Sequence, residues 1–327
     1  MDFRTELHTR PSENKLLMSD KVLTIGSCFA DEMAFRLAEN KIQIGNYFGT
    51  VFNPVSIHRL LMFGLKKETP SAKTYSVHDG VHFNFYFHSS FSSTDKNELA
   101  NRIQNTIAKA NSFLRTASRI IITYGTSFVY KLTDTGEAVA NCHKMPSTDF
   151  NKYLLTQPEI IESFEGFYGT LKSINPACKI ILTVSPVRHL KDTIELNAVS
   201  KSILRIACHS ISNQFSDVEY FPAYEILLDD LRDYRFYKKD LIHPTEEAID
   251  YICEKFIDSY FDKSAKIFFT EWSQIKKDLN HKPFNIKSES HQKFLQSLLL
   301  KLEKLQSQVD VSKEIENLKS SVVIHQL

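Results

Sequence analysis

Ser27 and Cys28 set a hydroxyl and a thiol side by side directly after Gly26, and some two hundred residues later Asp240 and His243 stand three apart in DLIHP. A serine that attacks an ester needs a base within hydrogen-bond reach, a group that orients the base, and donors for the developing oxyanion. Of the chain's twelve histidines, His243 is the best placed. It precedes a helix opened by Pro244-Thr245-Glu246, and in a turn Asp240 can fold back onto its ring. One short loop would then supply base and orienter together. Each part also has a plainer reading. Gly-Ser-Cys can be a tight turn built of small residues, His-Pro can be helix capping, and Cys28 can be a nucleophile or simply packing. Elsewhere His143 stands beside Cys142 and Lys144, and Arg188-His189 follows an apolar run that could present a carboxylate or phosphate to an arginine. His78, His82 and His88 recur near a strand period, but no carboxylate or cysteine cluster accompanies them, so no metal is expected.

These residues are positioned by a repeating pattern. Val22-Leu23-Thr24-Ile25 reads as a short buried strand, Gly26 breaks it, and Phe29, Met33 and Leu37 recur at helical spacing. A nucleophile on such a turn lies beside the first N–H groups of a helix. Arg119–Tyr124 and Lys179–Val184 repeat the apolar run, Val218–Phe221 adds another, and Gln43–Tyr47 a shorter one. Helical patterns lie between them over 96–114, 158–174 and 193–212, and again after Pro244 to about Phe261. The alternation predicts a mainly parallel sheet covered on both faces. Ligands bind such sheets beyond the carboxyl ends of the strands. Gly26-Ser27, Gly49, Gly125-Thr126 and Ser185-Pro186 all fall at those ends. Two hairpins are expected as insertions: Tyr75–Phe87 turning at Asp79-Gly80, with Val81, Phe83, Phe85 and Phe87 on one face, and FVYKL with EAVANC around Thr135-Gly136.

Composition narrows the classes. The chain has 327 residues with 42% apolar and 24% charged, ordinary values for a folded protein of one large α/β domain plus additions. A net charge of +1 points away from nucleic acid as a partner. The lead-in MDFRTELHTRPSENK is polar, and no apolar run reaches the roughly 18 residues of a membrane span. Five cysteines without CxxC spacing fit reduced thiols in the cytoplasm and no structural zinc. Only nine glycines occur, so those at strand ends are expected where the backbone needs them. Residues 264–327 differ from the rest. Phe294, Leu295, Leu298, Leu302, Leu305 and Val309 form an amphipathic stripe. The expected division is therefore 1–263 and 264–327, the second part a helical extension packed on the first or joining two copies.

The string GSCFA at Gly26–Ala30, with FGTVFNP, GTSFVY, NCHK, SPVRHLKD and DLIHP, resembles the GSCFA-domain family, and the wider pattern resembles the SGNH (GDSL-like) hydrolases. The resemblance covers roughly residues 20–265. It implies an α/β three-layer sandwich of the SGNH or flavodoxin-like type, with Ser27 as nucleophile, Asp240 and His243 completing a triad, and Ser27 preferred over Cys28. It implies a Gly49 N–H in the oxyanion hole, beside that of Ser27. Where the superfamily carries Gly-x-Asn-Asp this chain has Gly125-Thr126-Ser127. The Thr126 hydroxyl or Asn141 would have to replace the missing asparagine, and His143 and Arg188 would contact substrate. The expected activity is hydrolysis of a small or carbohydrate-linked ester without a cofactor. Acyl transfer to a sugar hydroxyl by the same triad, or a catalytically inactive binding module, are the alternatives.

Overall fold

Strand β1 (Lys21–Gly26) runs parallel between β2 (Gln43–Gly45) and a third strand at Arg119–Tyr124. The computed structural model, which describes residues 4–281, 283–285 and 288–321, follows this unit in chain order as follows. Helix α1 (Cys28–Glu39) joins β1 to β2, and α2 (Pro54–Lys66) follows. A first antiparallel insertion holds β3 (Tyr75–His78), β4 (Val81–Asn84) and β5 (Ser92–Ser93). After α3 (Lys96–Leu114) and β6 (Arg119–Tyr124), a second insertion holds β7 (Phe128–Leu132), β8 (Ala138–Val139) and β9 (Phe150–Leu154). Then come α4 (Gln157–Ile174), β10 (Lys179–Val184), α5 (Ile194–Gln214), β11 (Val218–Tyr220), a short α6 (Ala223–Glu225) and a π-helical turn over Ile226–Leu231. Helices α7 (Glu246–Tyr260), α8 (Lys263–Leu279), α9 (Glu289–Leu305) and α10 (Ser312–Ser321) follow.

The central sheet is parallel throughout, in the order β11-β10-β6-β1-β2. Strand order reverses between β1 and β6, the switch point at which doubly wound sheets open a crevice. Gly26 ends the first of these strands and Gly125 follows the second. Side chains alternate between two cores, because both faces of the sheet are covered. Leu23, Ile25, Ile120, Ile122, Ile180 and Leu182 pack with α2, α3, α4 and α5. Val22, Ile121 and Ile181 face α1, α7 and α8. This is the expected three-layer α/β sandwich, with no helix among the described residues long and apolar enough to cross a membrane.

The apolar stripe of α9 is buried through Leu295, Leu298, Leu302 and Leu305 in the same core as α8. Trp272 of α8 donates its indole N–H to the Glu39 carbonyl at 2.7 Å, satisfying an acceptor at the end of α1. Lys41 pairs with Glu314 of α10 at 2.7 Å. The C-terminal helices thus dock on α1 and α7.

Both hairpins form. Asp79 and Gly80 take positive φ (50° and 73°), as a tight two-residue turn between right-twisted strands requires. Two details differ from the sequence expectation. β4 stops at Asn84, because the Asn84 side chain accepts the Tyr86 N–H at 3.0 Å and turns the chain before Phe85. β9 pairs with β7 along five residues although its middle residues are exposed, so it carries no clean apolar alternation.

Candidate active site

Gly26 ends β1 at φ +142°, and a Cβ there would lie 2.1 Å from the Thr123 carbonyl oxygen, so only glycine lets β1 and β6 close up at this point. Ser27 follows at the N-cap position of α1, with φ −67° and ψ 172°. Serine there normally lends its oxygen to a helix N–H. Asn53, Asp95, Thr193, Thr245 and Asp262 do so at the starts of α2, α3, α5, α7 and α8. Ser27 does not: its side chain makes no capping bond, and Oγ is buried without any hydrogen-bond partner. The hydroxyl is therefore kept free of structural work. Its backbone N–H donates to the Thr123 carbonyl at 3.1 Å, so it is already engaged and is not the oxyanion donor the resemblance implies. Cys28 is half-buried, and burial followed by the charge of Asp31 raises its thiol pKa, which disfavours the nucleophilic thiolate.

The second block lies directly against this turn. Gly26 bridges Thr50 in parallel, and the Val51 N–H donates to the Gly26 carbonyl at 2.7 Å. Gly49 has φ +69°, and a Cβ on it would crowd His88 at 3.1 Å. Asp31, in the first turn of α1, locks the pairing by accepting from Thr50 Oγ1 at 2.8 Å and Asn46 Nδ2 at 2.7 Å. In the first turn of α1 the Ala30 N–H donates to the Ser27 carbonyl at 2.7 Å, while the Cys28 and Phe29 N–H groups ahead of it precede the first intrahelical acceptor.

DLIHP forms the loop its spacing suggests. His243 Nδ1 donates to Asp240 Oδ2 at 2.7 Å, while Asp240 Oδ1 accepts the backbone N–H groups of Ile242 (2.9 Å) and His243 (3.0 Å). Those bonds, the His243 N–H first, hold the Asp240 carboxyl well below its ordinary range. With Nδ1–H on Asp240, Nε2 carries the lone pair of a base. Both side chains are half-exposed. Leu241 takes φ 58° to close the loop, and the Lys238 N–H caps the His243 carbonyl at 2.7 Å. No hydrogen bond joins His243 to Ser27, whose Oγ has no partner.

The remaining residues named from sequence have varied surroundings. Thr126 lies on the rim, but its hydroxyl pairs with Ser200 Oγ at 2.9 Å and accepts the Phe128 N–H at 3.1 Å. The Gly125 and Thr126 N–H groups both donate to the Phe52 carbonyl (2.8 and 3.1 Å), tying the second and third blocks together. Asn141 accepts the His143 N–H at 2.8 Å. His143 stacks on Phe83 at 4.2 Å and bonds the carbonyls of Asn84 and Phe87, so both belong to the packing between the two insertions. Arg188 donates its backbone N–H to the Ile242 carbonyl at 3.3 Å, which joins the loop after β10 to DLIHP.

Two neighbours complete the surroundings, Lys201, which no sequence pattern marks, and His189, named from sequence beside Arg188. Lys201 of α5 is 1% exposed, and its ammonium bridges the carbonyls of Gly125 and Ser185, both at 2.7 Å. Burial lowers its pKa to about 7. His189 packs edge-on to Phe52 at 5.1 Å, with its Nε2 buried and unpartnered. Burial, then the Lys201 and His243 charges, lower its pKa to about 3. Lysine in mid-helix reads as a solvated residue, so only the packing of α5 over the strand ends reveals Lys201.

The sequence matches the GSCFA family over residues 21–256 and the C-terminal domain of GSCFA domain proteins over 272–323. The chain belongs to the GSCFA family. The family match contains Ser27, Gly49, Asp240 and His243, and the C-terminal match falls on α8 to α10. No curated protein matches the sequence. Similar solved structures include one named for a platelet activating factor from Streptococcus pneumonia (11% identity, 73% of this chain, 83% of that one, TM-score 0.40). An acetyl xylan esterase from Butyrivibrio proteoclasticus follows at 11% identity (75% and 64% covered, TM-score 0.37), and a carbohydrate esterase family 3 structure from Talaromyces cellulolyticus at 7% (78% and 99%, TM-score 0.35).

Proposed function

We propose that this GSCFA protein is a serine esterase acting on a small or carbohydrate-linked ester. The observation that carries the reading is Ser27: a buried hydroxyl at a helix N-cap that caps nothing, on the rim that also bears a formed Asp240–His243 pair. In the proposed reaction Ser27 Oγ attacks the ester carbonyl carbon and its proton passes to His243 Nε2. Asp240 holds the ring tautomer and stabilises the imidazolium. The tetrahedral oxyanion takes hydrogen bonds from the Gly49 N–H and the first turn of α1, each such donor worth about 3 kcal/mol. Collapse expels the alcohol, protonated by His243. Water, activated by the same base, then releases the acid. Because Ser27 is covered and unbonded in this state, the rim must open and bring His243 to it as substrate binds.

That covering also favours a second reading, a binding module that has lost catalysis. Labelling with a fluorophosphonate probe separates the two. The esterase reading expects one modified residue, Ser27, and no label on Ser27→Ala. A folded wild-type protein that takes no label, or takes it equally after Ser27→Ala, refutes the esterase.

A further inference from the structure

Beside the DLIHP loop, Arg188, Leu227, Leu228, Arg232, Tyr234 and Tyr237 line a cavity of about 110 Å³. Its position is fixed by the backbone: Arg188 holds the Ile242 carbonyl, and Tyr237 bridges Pro244, the residue after His243. One wall is the π-helical turn Ile226–Leu231, a geometry concentrated at functional sites. The turn ends at Arg232 in the left-handed region, φ 54°, a conformation costly for a residue with a side chain. The Arg188 guanidinium lies over Tyr237 at 4.5 Å and Tyr234 at 6.0 Å. Aromatic faces hold a cation in place without neutralising it.

Nor is it neutralised by the acids of the surrounding segments, several of which are engaged elsewhere. Asp230 pairs with Arg4, Asp233 faces Arg235, and Asp240 serves His243. Among the described residues neither Arg188 nor Arg232 pairs with a carboxylate, so two arginines line one small cavity with no counter-ion from the protein. Like charges lining one cavity repel, and an anion bound there relieves the repulsion and can accept charge-assisted hydrogen bonds from guanidinium groups. The volume equals the liquid share of about three to four waters, room for one carboxylate or phosphate group but not for a sugar ring.

We infer that this cavity is an oxyanion subsite, binding a carboxylate or phosphate group carried by the substrate of the adjoining centre. That the anion belongs to a substrate rests on the esterase reading; that the cavity binds an anion does not.

The test is calorimetric titration of the full-length protein at low ionic strength with sodium succinate and, separately, inorganic phosphate, neither of which can be turned over as an ester. Saturable binding of at least one is expected, weakened about tenfold or more by Arg232→Gln and by Arg188→Met, the loss of about one charge-assisted hydrogen bond. Binding of succinate alone assigns the site to a carboxylate, and of phosphate alone to a phosphate; where both bind, the tighter one does. Circular dichroism checks folding, and the exposed Arg232 serves if Arg188→Met does not fold. No saturable binding of either anion, or equal binding by wild type and Arg232→Gln, overturns the inference. Anion binding by a protein whose Ser27 stays unlabelled by fluorophosphonate refutes the esterase and leaves the subsite standing. Labelling without anion binding does the reverse.

Discussion

Lys201→Met should change how the stability of this protein depends on pH. Lys201 is buried with its amine on two carbonyls, and burial brings its pKa from 10.5 to about 7. Above pH 7 the unfolded chain still carries a proton on this amine that the folded chain has released. Stability rises with pH wherever the unfolded state binds more protons, with a limiting slope of about 1.4 kcal/mol per pH unit for one group. From pH 7 to pH 9 the gain is about 2 kcal/mol, since at pH 7 the folded amine is still half protonated. Below about pH 6 both states hold the proton and this contribution is flat. Cys28, whose thiol burial raises, and His189, kept neutral by burial, are the neighbours coupled to Lys201. The methionine variant lacks the titration and leaves the Gly125 and Ser185 carbonyls unpaired, at about 1–3 kcal/mol each. Urea unfolding of both proteins at pH 5, 6, 7, 8 and 9 reads the difference, in which the titrating groups not coupled to Lys201 cancel. The stability gap should widen by about 2 kcal/mol from pH 7 to 9 and stay constant below pH 6. A gap that is unchanged between pH 7 and 9 would refute the claim that Lys201 is folded in its neutral form.

Ser27→Ala should keep or raise stability, by up to about 1 kcal/mol, because it removes a buried unpartnered hydroxyl and breaks no cap. Thr245→Ala, which removes the bond to the Ala248 N–H, should cost about 1 kcal/mol in the same urea titration; similar losses for both would show that Ser27 does cap. Gly26→Ala should cost about 3 kcal/mol or more, combining an unfavourable φ of +142° with a Cβ 2.1 Å from the Thr123 carbonyl oxygen. Thermal melting of a variant with unchanged Tm would contradict that packing.

The fold was legible where local pattern and burial coincide. Apolar runs ending at Gly26, Tyr124 and Val184 mark parallel strands because a sheet covered on both faces has no polar side to alternate with. β9 was not legible, since its pairing with β7 relies on backbone bonds while Asn151, Lys152 and Tyr153 face solvent. The same rule governs the site. Asp240 and His243 meet because three residues of loop suffice to close the contact. Thr126 could not be placed from its own neighbourhood, because its partner Ser200 lies 74 residues away on α5.

The sequence by itself determined the Gly26-Ser27 turn, the Asp240–His243 pair and the order of strands and helices, all consequences of interactions between residues near in the chain. Tertiary structure alone decided which donors stay available at the rim, that Ser27 lies covered and uncapped, that Lys201 and His189 are buried behind it, and that Arg188 and Arg232 converge on one cavity. Those outcomes depend on which distant carbonyl or ring each group meets when α5 and the loop after β10 close over the strand ends, and no local pattern encodes that encounter.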